Sequence, residues 1–256
     1  MKTYVISLAG SARRDQCRLQ LGGAEIEFDF FDAVDGPARS VETDHLYDSV
    51  ENKRKFKRPL SAEEIGCYLS HLQVWKKVAE SGMSALVLED DFVMHHETKA
   101  FVASIPAEIL QNSVIKICGA KRHRWKGGTI HVSKGRQIRR YHIVSPHTTG
   151  YVIGPVAAAR LLAVRERFFR PVDIDLKHVW EHGVAVYGVD PPLVGERGLQ
   201  QSSTIAAGRE GMKPTSSLQR FLANLRYQAR FLASSLMHRQ ANVKIDFSDD
   251  GGVSSE

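Results

Sequence analysis

The sequence has no long apolar run, no paired cysteine motif and, over one long stretch near its end, no acidic residue. Nothing in the 256 residues approaches the roughly 18 consecutive apolar positions of a membrane span. Its three cysteines, Cys17, Cys67 and Cys118, show no C-x-x-C spacing. That excludes a zinc knuckle or a disulfide framework from the expectations and favours a reducing compartment. The opening MKTYVISLAGSARRD has a short apolar stretch that stops at Gly10 and runs into Arg13 and Arg14, unlike a cleavable signal. There is no internal repeat. Nothing matches an RNA-recognition or helix-turn-helix signature, so nucleic acid is not an expected partner. From Gly211 to Ile245 there is no acid at all, while Lys213, Arg220, Arg226, Arg230, Arg239 and Lys244 are basic.

The hydrophobic fraction, 43%, is that of an ordinary globular core, and the formal net charge of +6 points to an anionic partner without naming one. TYVISL (residues 3–8) reads as a buried strand, and CRLQLGGAEIEFDFFDAVDG as a helix, a turn at Gly22-Gly23 and a second strand. A polar stretch over 38–59 reads as a long connection. LSAEEIGCYLSHLQVWKKVAESG predicts a helix: Ser61 and Glu64 make a capping box, Ile65, Leu69, Leu72, Trp75 and Val78 form one stripe, and Gly82 ends it. The strand SALVLEDD follows directly, then the strand SVIKICGA, a basic loop or hairpin KRHRWKGGTIHVSKGRQIRR, the strand HTTGYVIG, and a helix opening on Pro155. Strands alternating with helices predict an α/β fold, whose ligands collect beyond the carboxyl ends of the strands.

Glu89, Asp90 and Asp91 sit at such an end. Clustered carboxylates are solvated, paired with bases or neutralised by a cation, and hard divalent ions take oxygen ligands and bridge carboxylates to phosphates. Side chains alternate along a strand, so Glu89 and Asp91 should face one way and share a metal or nucleotide, while Asp90 braces the loop. A solvated strand end is the rival reading.

These segments resemble glycosyltransferase family 25, of the lipooligosaccharide-biosynthesis galactosyltransferase type. The resemblance runs from YVISLAGSARR through FFDAVDG, LSAEEIGCYLSHLQVWKKV and ALVLEDDF to GYVIG and PVDIDL, across most of residues 3–205. It implies a GT-A-like nucleotide-sugar transferase fold, with a mixed, mostly parallel sheet flanked by helices. It also implies inverting transfer, usually of galactose from UDP-galactose, with Mn²⁺ or Mg²⁺. On that basis Glu89 or Asp90 contacts the nucleotide and Asp91 the metal.

Arg13 and Arg14 are candidates for the donor diphosphate or uracil, and Asp32 and Asp35 for ribose hydroxyls, against plain solvation and turn chemistry with Gly36. Glu64 and His71 are further donor-side candidates, although the capping box accounts for Glu64. The basic loop with His123, Arg124, Trp125, Gly127 and Gly128 could close over the donor. An inverting transfer needs a base for the acceptor hydroxyl. Asp173 and Asp175 in PVDIDL are the candidates, both pointing to one side of an extended segment, with Asp173 preferred and Asp175 a possible cap for the next helix.

HVWEH (178–182) matches the H-x-x-E-H pattern of zinc metallopeptidases, and His178 or His182 could alternatively complete a transferase's metal site. A third reading is a non-enzymatic basic protein binding lipid or nucleic acid. Over 217–238, Leu218, Phe221, Leu222, Leu225, Ala229, Leu232 and Leu236 recur at helical spacing beside arginines. This predicts an amphipathic C-terminal helix that lies on an anionic membrane or packs on the core. The expected organisation is a transferase domain over 1–210, the basic helical element over 211–245 and a disordered tail over 246–256. The expected setting is cytoplasmic, peripheral on the inner membrane of a bacterium, with a UDP-sugar donor and a lipid-linked oligosaccharide acceptor.

Overall fold

The computed structural model describes residues 1–38, 45–119, 125–133, 135–196 and 217–237. His123, Arg124 and the tail over 246–256 lie outside the described residues. The chain opens with β1 (Lys2–Ser7), α1 (Arg13–Gly23) and β2 (Asp29–Asp32). Then come α2 (Ser49–Lys55), α3 (Ala62–Ser81), β3 (Ala85–Glu89) and β4 (Phe92–Met94). Two short helices, α4 (Thr98–Ala103) and α5 (Ala107–Gln111), lead into β5 (Ser113–Lys116) and the hairpin β6 (Trp125–Ser133) and β7 (Arg136–Tyr141). β8 (Gly150–Ile153), α6 (Pro155–Val164), α7 (Val172–Asp175), α8 (Val179–His182), β9 (Ala185–Asp190) and β10 (Val194–Glu196) complete the body, and α9 (Ser217–Met237) follows.

Among the described residues, eight strands form one sheet in the order β2-β1-β3-β8-β5-β9-β7-β6. β1 pairs parallel with β2 and β3, and β5 pairs parallel with β9. β8 is antiparallel to both β3 and β5, β7 to β9, and β6 to β7. Six strands therefore run in one direction, with β7 and β8 opposed. Strand alternation feeds two cores. Tyr4, Ile6, Val87 and Ile153 face α3 and α6, whereas Val5, Leu86, Leu88 and Ile115 face α1, α4 and α5.

Register decides where the site falls. Ser7 lies beside Asp32, and Ile6 beside Glu89, so β1, β2 and β3 end together. Because β8 runs the other way, the residues just before it arrive at the same edge, with Leu88 beside Gly150.

α3 begins as its sequence dictates: Ser61 Oγ accepts from Glu64 N, Glu64 returns to Ser61 N, and Gly82 stops the helix at φ 68°. The expected connection over 38–59 contains α2, whose start is satisfied by Asp48 accepting from the backbone N–H groups of Val50 and Glu51. PVDIDL is not extended. Val172–Asp175 is a helical turn, so Asp173 and Asp175 diverge instead of sharing a side.

Candidate active site

Glu89 ends β3 half-buried, and its Oε1 carries the orientation: Thr148 Oγ1 donates to it at 2.5 Å and His71 Nε2 meets it at 3.2 Å. The far side of His71 is fixed in turn. Its Nδ1 lies 2.7 Å from Tyr151 Oη, which also accepts from Trp75 Nε1 at 2.9 Å. An indole N–H only donates, so the Tyr151 hydroxyl proton is available to Nδ1, which leaves Nε2–H for Glu89. Burial pushes the Glu89 carboxyl up, but the hydrogen bonds from His71 and Thr148 and the Lys116 charge outweigh it, leaving its pKa below the ordinary carboxylate value. Among the described residues Glu89 Oε2 accepts no hydrogen bond.

Asp90 turns the opposite way, as strand alternation requires. Ser7 Oγ (2.7 Å) and Ser11 Oγ (2.9 Å) donate to Oδ2, and Arg13 Nη1 (3.1 Å) to Oδ1, tying the β3 end to the loop after β1. Arg14 donates to Ser7 O and to the Asp32 carboxylate while lying over the Phe30 ring. Asp91 is half-buried in the β3–β4 turn. Asp35 is exposed, its carbonyl closing a turn with Ala38 N.

Beneath Glu89 lie Cys67 and Lys116. Burial, reinforced by the charges of Glu89, Asp173, Glu64 and Asp91, pushes the Cys67 thiol well up. Lys116 is fully buried with Nζ 2.5 Å from Ser145 O. Burial lowers its pKa, while Cys118, Asp173 and Glu89 act in the opposite sense. Glu89 and Asp173, 84 positions apart in the sequence, thus both bear on the same thiol and the same ammonium. Asp173 is half-buried, and its Oδ1 accepts from Ile174 N at 2.8 Å; Oδ2 accepts no hydrogen bond among the described residues.

Four expectations are corrected. Asp175 is not a second base: it is buried, with Tyr68 Oη (2.5 Å), Arg165 Nε (2.6 Å) and Arg170 Nε (2.7 Å) on its two oxygens. Those cations overcome its burial and hold its carboxyl below the usual range. His178 is not part of the cluster of ligand atoms around Glu89. It is buried among Trp180, Tyr227 and Phe231 with Nδ1 2.9 Å from Ile174 O. The H-x-x-E-H reading fails with it, because Glu181 takes Arg165 and Arg170, and His182 serves the backbone of Leu176 and Val184. His71 and Glu64 are too buried to touch a donor. His71 has both nitrogens engaged, and Glu64 binds the Arg58 guanidinium with both oxygens (2.6 Å each) besides capping α3.

The donor set suits a hard divalent cation. Cys67, His71 and Glu89 offer ligand atoms within 4.8 Å of one another, but the thiol is held protonated and both imidazole nitrogens are used. What remains toward the strand end is carboxylate oxygen, from the ionised Glu89 and from Asp91. The sequence did not single out Lys116, Thr148 or Tyr151. A lysine inside the apolar strand SVIKIC is a legible signal of a buried charge, whereas Thr148 enters only because β8 runs antiparallel, which local pattern does not specify.

Comparison with known proteins places the molecule in the class of glycosyltransferases. Residues 1–176 match glycosyltransferase family 25 (LPS biosynthesis protein), and the chain belongs to that family. It is 31% identical over 105 residues to the lacto-N-neotetraose biosynthesis glycosyltransferase LgtE of Neisseria meningitidis serogroup B, covering 40% of this chain and 36% of that protein. It is 34% identical over 103 residues to the mouse procollagen galactosyltransferase 2, covering 38% of this chain and 16% of that protein. The chain thus spans well under half the length of the curated relatives it matches. A solved glycosyltransferase involved in glycosylation of the major capsid of PBCV-1 aligns over 83% of this chain and 100% of its own, at a TM-score of 0.38 and 12% identity, too slight a likeness to carry an argument.

Proposed function

We propose that this chain is a metal-dependent, inverting hexosyltransferase of GT-A type that moves galactose from UDP-galactose to a terminal sugar of a lipooligosaccharide or lipopolysaccharide core. The observation that carries the reading is the convergence on Cys67 and Lys116 of an ionised carboxylate with an oxygen to spare at the end of β3 (Glu89) and a second with an oxygen to spare on the α7 turn (Asp173). Glu89 and Asp91 hold the metal, Mn²⁺ or Mg²⁺, and His71 and Thr148 fix Glu89 so that its second oxygen is aimed. The bound ion supplies positive charge to the diphosphate leaving group. Asp90 locks the loop carrying Arg13 and Arg14, which border the donor side with Asp32. Asp173 accepts the proton of the acceptor hydroxyl. The oxygen of that hydroxyl bonds to the anomeric carbon from the face opposite the diphosphate, the carbon–oxygen bond to the diphosphate breaks with its electron pair on the phosphate oxygen, and the configuration inverts.

The lipid-linked acceptor lies at a membrane, and α9 is the element suited to hold the enzyme there, with an anionic leaflet as partner, on the cytoplasmic side of a bacterial inner membrane. No helix among the described residues is long and apolar enough to cross a membrane. A panel of UDP-sugars incubated with galactose- and glucose-terminated acceptors, with Mn²⁺ or with EDTA, tests the reading. Transfer from UDP-galactose alone, abolished by EDTA, is the expected result. Metal-independent transfer, or none from any donor, rejects it.

A further inference from the structure

Between α1, β4 and α4 lies a cleft of about 700 Å³ with Gln20, Glu25, Met94, His95, His96 and Lys99 in its wall, and none of the carboxylates proposed for the transfer lines it. The turn that brings the histidines there is pinned. His95 N donates to Leu193 O at 2.8 Å, Thr98 N and Oγ1 donate to His95 O at 3.1 and 2.7 Å, and the Gln20 amide accepts from Met94 N and donates to Phe92 O at 3.0 Å each. His95 and His96 stack with ring centroids 4.3 Å apart. One ligand atom from each of His95, His96 and Glu97 lies within 4.8 Å of the other two.

Two electron-rich atoms face each other in that cluster. His95 Nδ1 accepts from Glu97 N at 3.3 Å, so it presents a lone pair and no proton, and Glu97 Oε2 stands 3.4 Å from it. Burial, Arg136 and His96 lower the His95 pKa against the pull of Glu97, which favours the neutral ring. A tetrahedral ion with bonds of about 2.0–2.1 Å spaces its ligand atoms about 3.3–3.4 Å apart, so this pair already stands at ligand spacing. Arg136 Nε (3.2 Å) and Nη2 (3.1 Å) donate to Oε2 and orient the carboxylate, as outer partners do in metal sites, but make no hydrogen bond to His95. Lys99 is turned to Glu25 at 3.4 Å. Among the described residues, Glu97 Oε1 and both His96 nitrogens take part in no hydrogen bond.

We propose that His95, His96 and Glu97 form a metal site separate from the β3 end, for a divalent ion that prefers imidazole, Zn²⁺ foremost, with its fourth position open to the cleft. Two imidazoles and one carboxylate suit Zn²⁺ and not the hard ions that take oxygen alone. The bound ion would fasten the exit of β4 to the start of α4. The chain is titrated calorimetrically with ZnCl₂ in excess Mg²⁺, which competes at sites built of oxygen. His95→Ala, His96→Ala and Glu97→Gln should each weaken Zn²⁺ binding at least about tenfold, and Asp91→Asn should change it by less than about twofold. Zn²⁺ should raise the Tm of the native chain and leave that of His96→Ala unmoved.

Undiminished Zn²⁺ binding in both histidine variants would assign the ion to other ligands, the cysteines among them, and overturn the proposal. Loss of Zn²⁺ binding in Asp91→Asn would assign it to the β3 end and also overturn it. So would the absence of Zn²⁺ binding by the native chain. Circular dichroism checks folding, and His96→Ala carries the test if the other variants do not fold, because among the described residues its ring touches only that of His95. No sugar transfer is needed for any of these readings.

Discussion

At the scale of single residues, the carboxylates proposed for chemistry differ from those that hold the fold, and the difference is only half visible in the sequence. Glu89, Asp90 and Asp91 stand out because they end an apolar run. Strand alternation sets Asp90 apart from Glu89 and Asp91, and in the structure Asp90 bonds Ser7, Ser11 and Arg13. Asp173 and Asp175 are indistinguishable by type and spacing; the helical turn sends one toward Lys116 and the other between Arg165 and Arg170. Asp175→Asn should therefore cost about 3–5 kcal/mol of stability, because it leaves two buried guanidinium groups short of charge. Asp173→Asn should lower kcat at least about a hundredfold with little change in stability or UDP affinity. Denaturant titration and steady-state kinetics separate the pair, and the reverse pattern would show the wrong base.

The buried histidines predict a pH dependence. Burial foremost lowers the His178 pKa to about 3 and the His182 pKa to about 4, from an ordinary 6.5. Both are bases depressed by folding, so the unfolded chain takes up their protons first. Their contribution is whole above pH 6.5 and declines as pH falls from there toward the folded values. Between pH 7 and pH 5 the two together should remove roughly 3–4 kcal/mol of unfolding free energy. His178→Phe should remove about half of that slope; an unchanged slope in guanidinium titrations at the two pH values would contradict the assignment.

Among the elements, α3 and its neighbour loop are the most legible. The capping box, the apolar stripe and the terminal glycine of α3 are all local signals, and each is found where the sequence puts it. The glycine in EIGCYLSH has a reason that only packing reveals. A Cβ on Gly66 would lie 2.6 Å from Val34 O and 2.7 Å from Gly36 N, so α3 and the β2 exit loop touch backbone to backbone. Ser70 Oγ accepts from Val34 N across the same contact. Gly66→Ala should cost about 1–3 kcal/mol, detectable as a lowered Tm, and should weaken UDP binding if the loop displaced with it borders the donor. The helical PVDIDL turn was not legible, because four residues with two apolar positions fit a strand or a turn equally.

Over the whole molecule, α9 has two apolar faces. Tyr227 and Phe231 pack on Phe56, His178 and Trp180, which ties the helix to the body. On the far side Phe221, Leu222, Leu225, Leu232 and Leu236 are each at least half exposed, with Arg226 also exposed, while Arg230 Nη1 reaches back to Arg54 O at 2.7 Å. Periodicity identified the apolar stripe but not its direction; the tyrosine and phenylalanine outside that stripe make the anchor. If the exposed stripe meets an anionic leaflet, Leu225→Asp with Leu232→Asp should abolish sedimentation with phosphatidylglycerol vesicles and leave Tm within about 2 °C, since neither side chain is buried. Vesicle binding that survives the pair would assign membrane attachment elsewhere.

The central claim is that the β3 end binds a nucleotide diphosphate through a metal held by Glu89 and Asp91. Calorimetric titration of UDP, with Mn²⁺ and with EDTA, into the native chain and Asp91→Asn addresses it most directly. The account predicts metal-dependent binding by the native chain that falls at least about a hundredfold in Asp91→Asn, whose thermal unfolding is unchanged. Equal UDP affinity in Mn²⁺ and in EDTA, or in the two proteins, would contradict it.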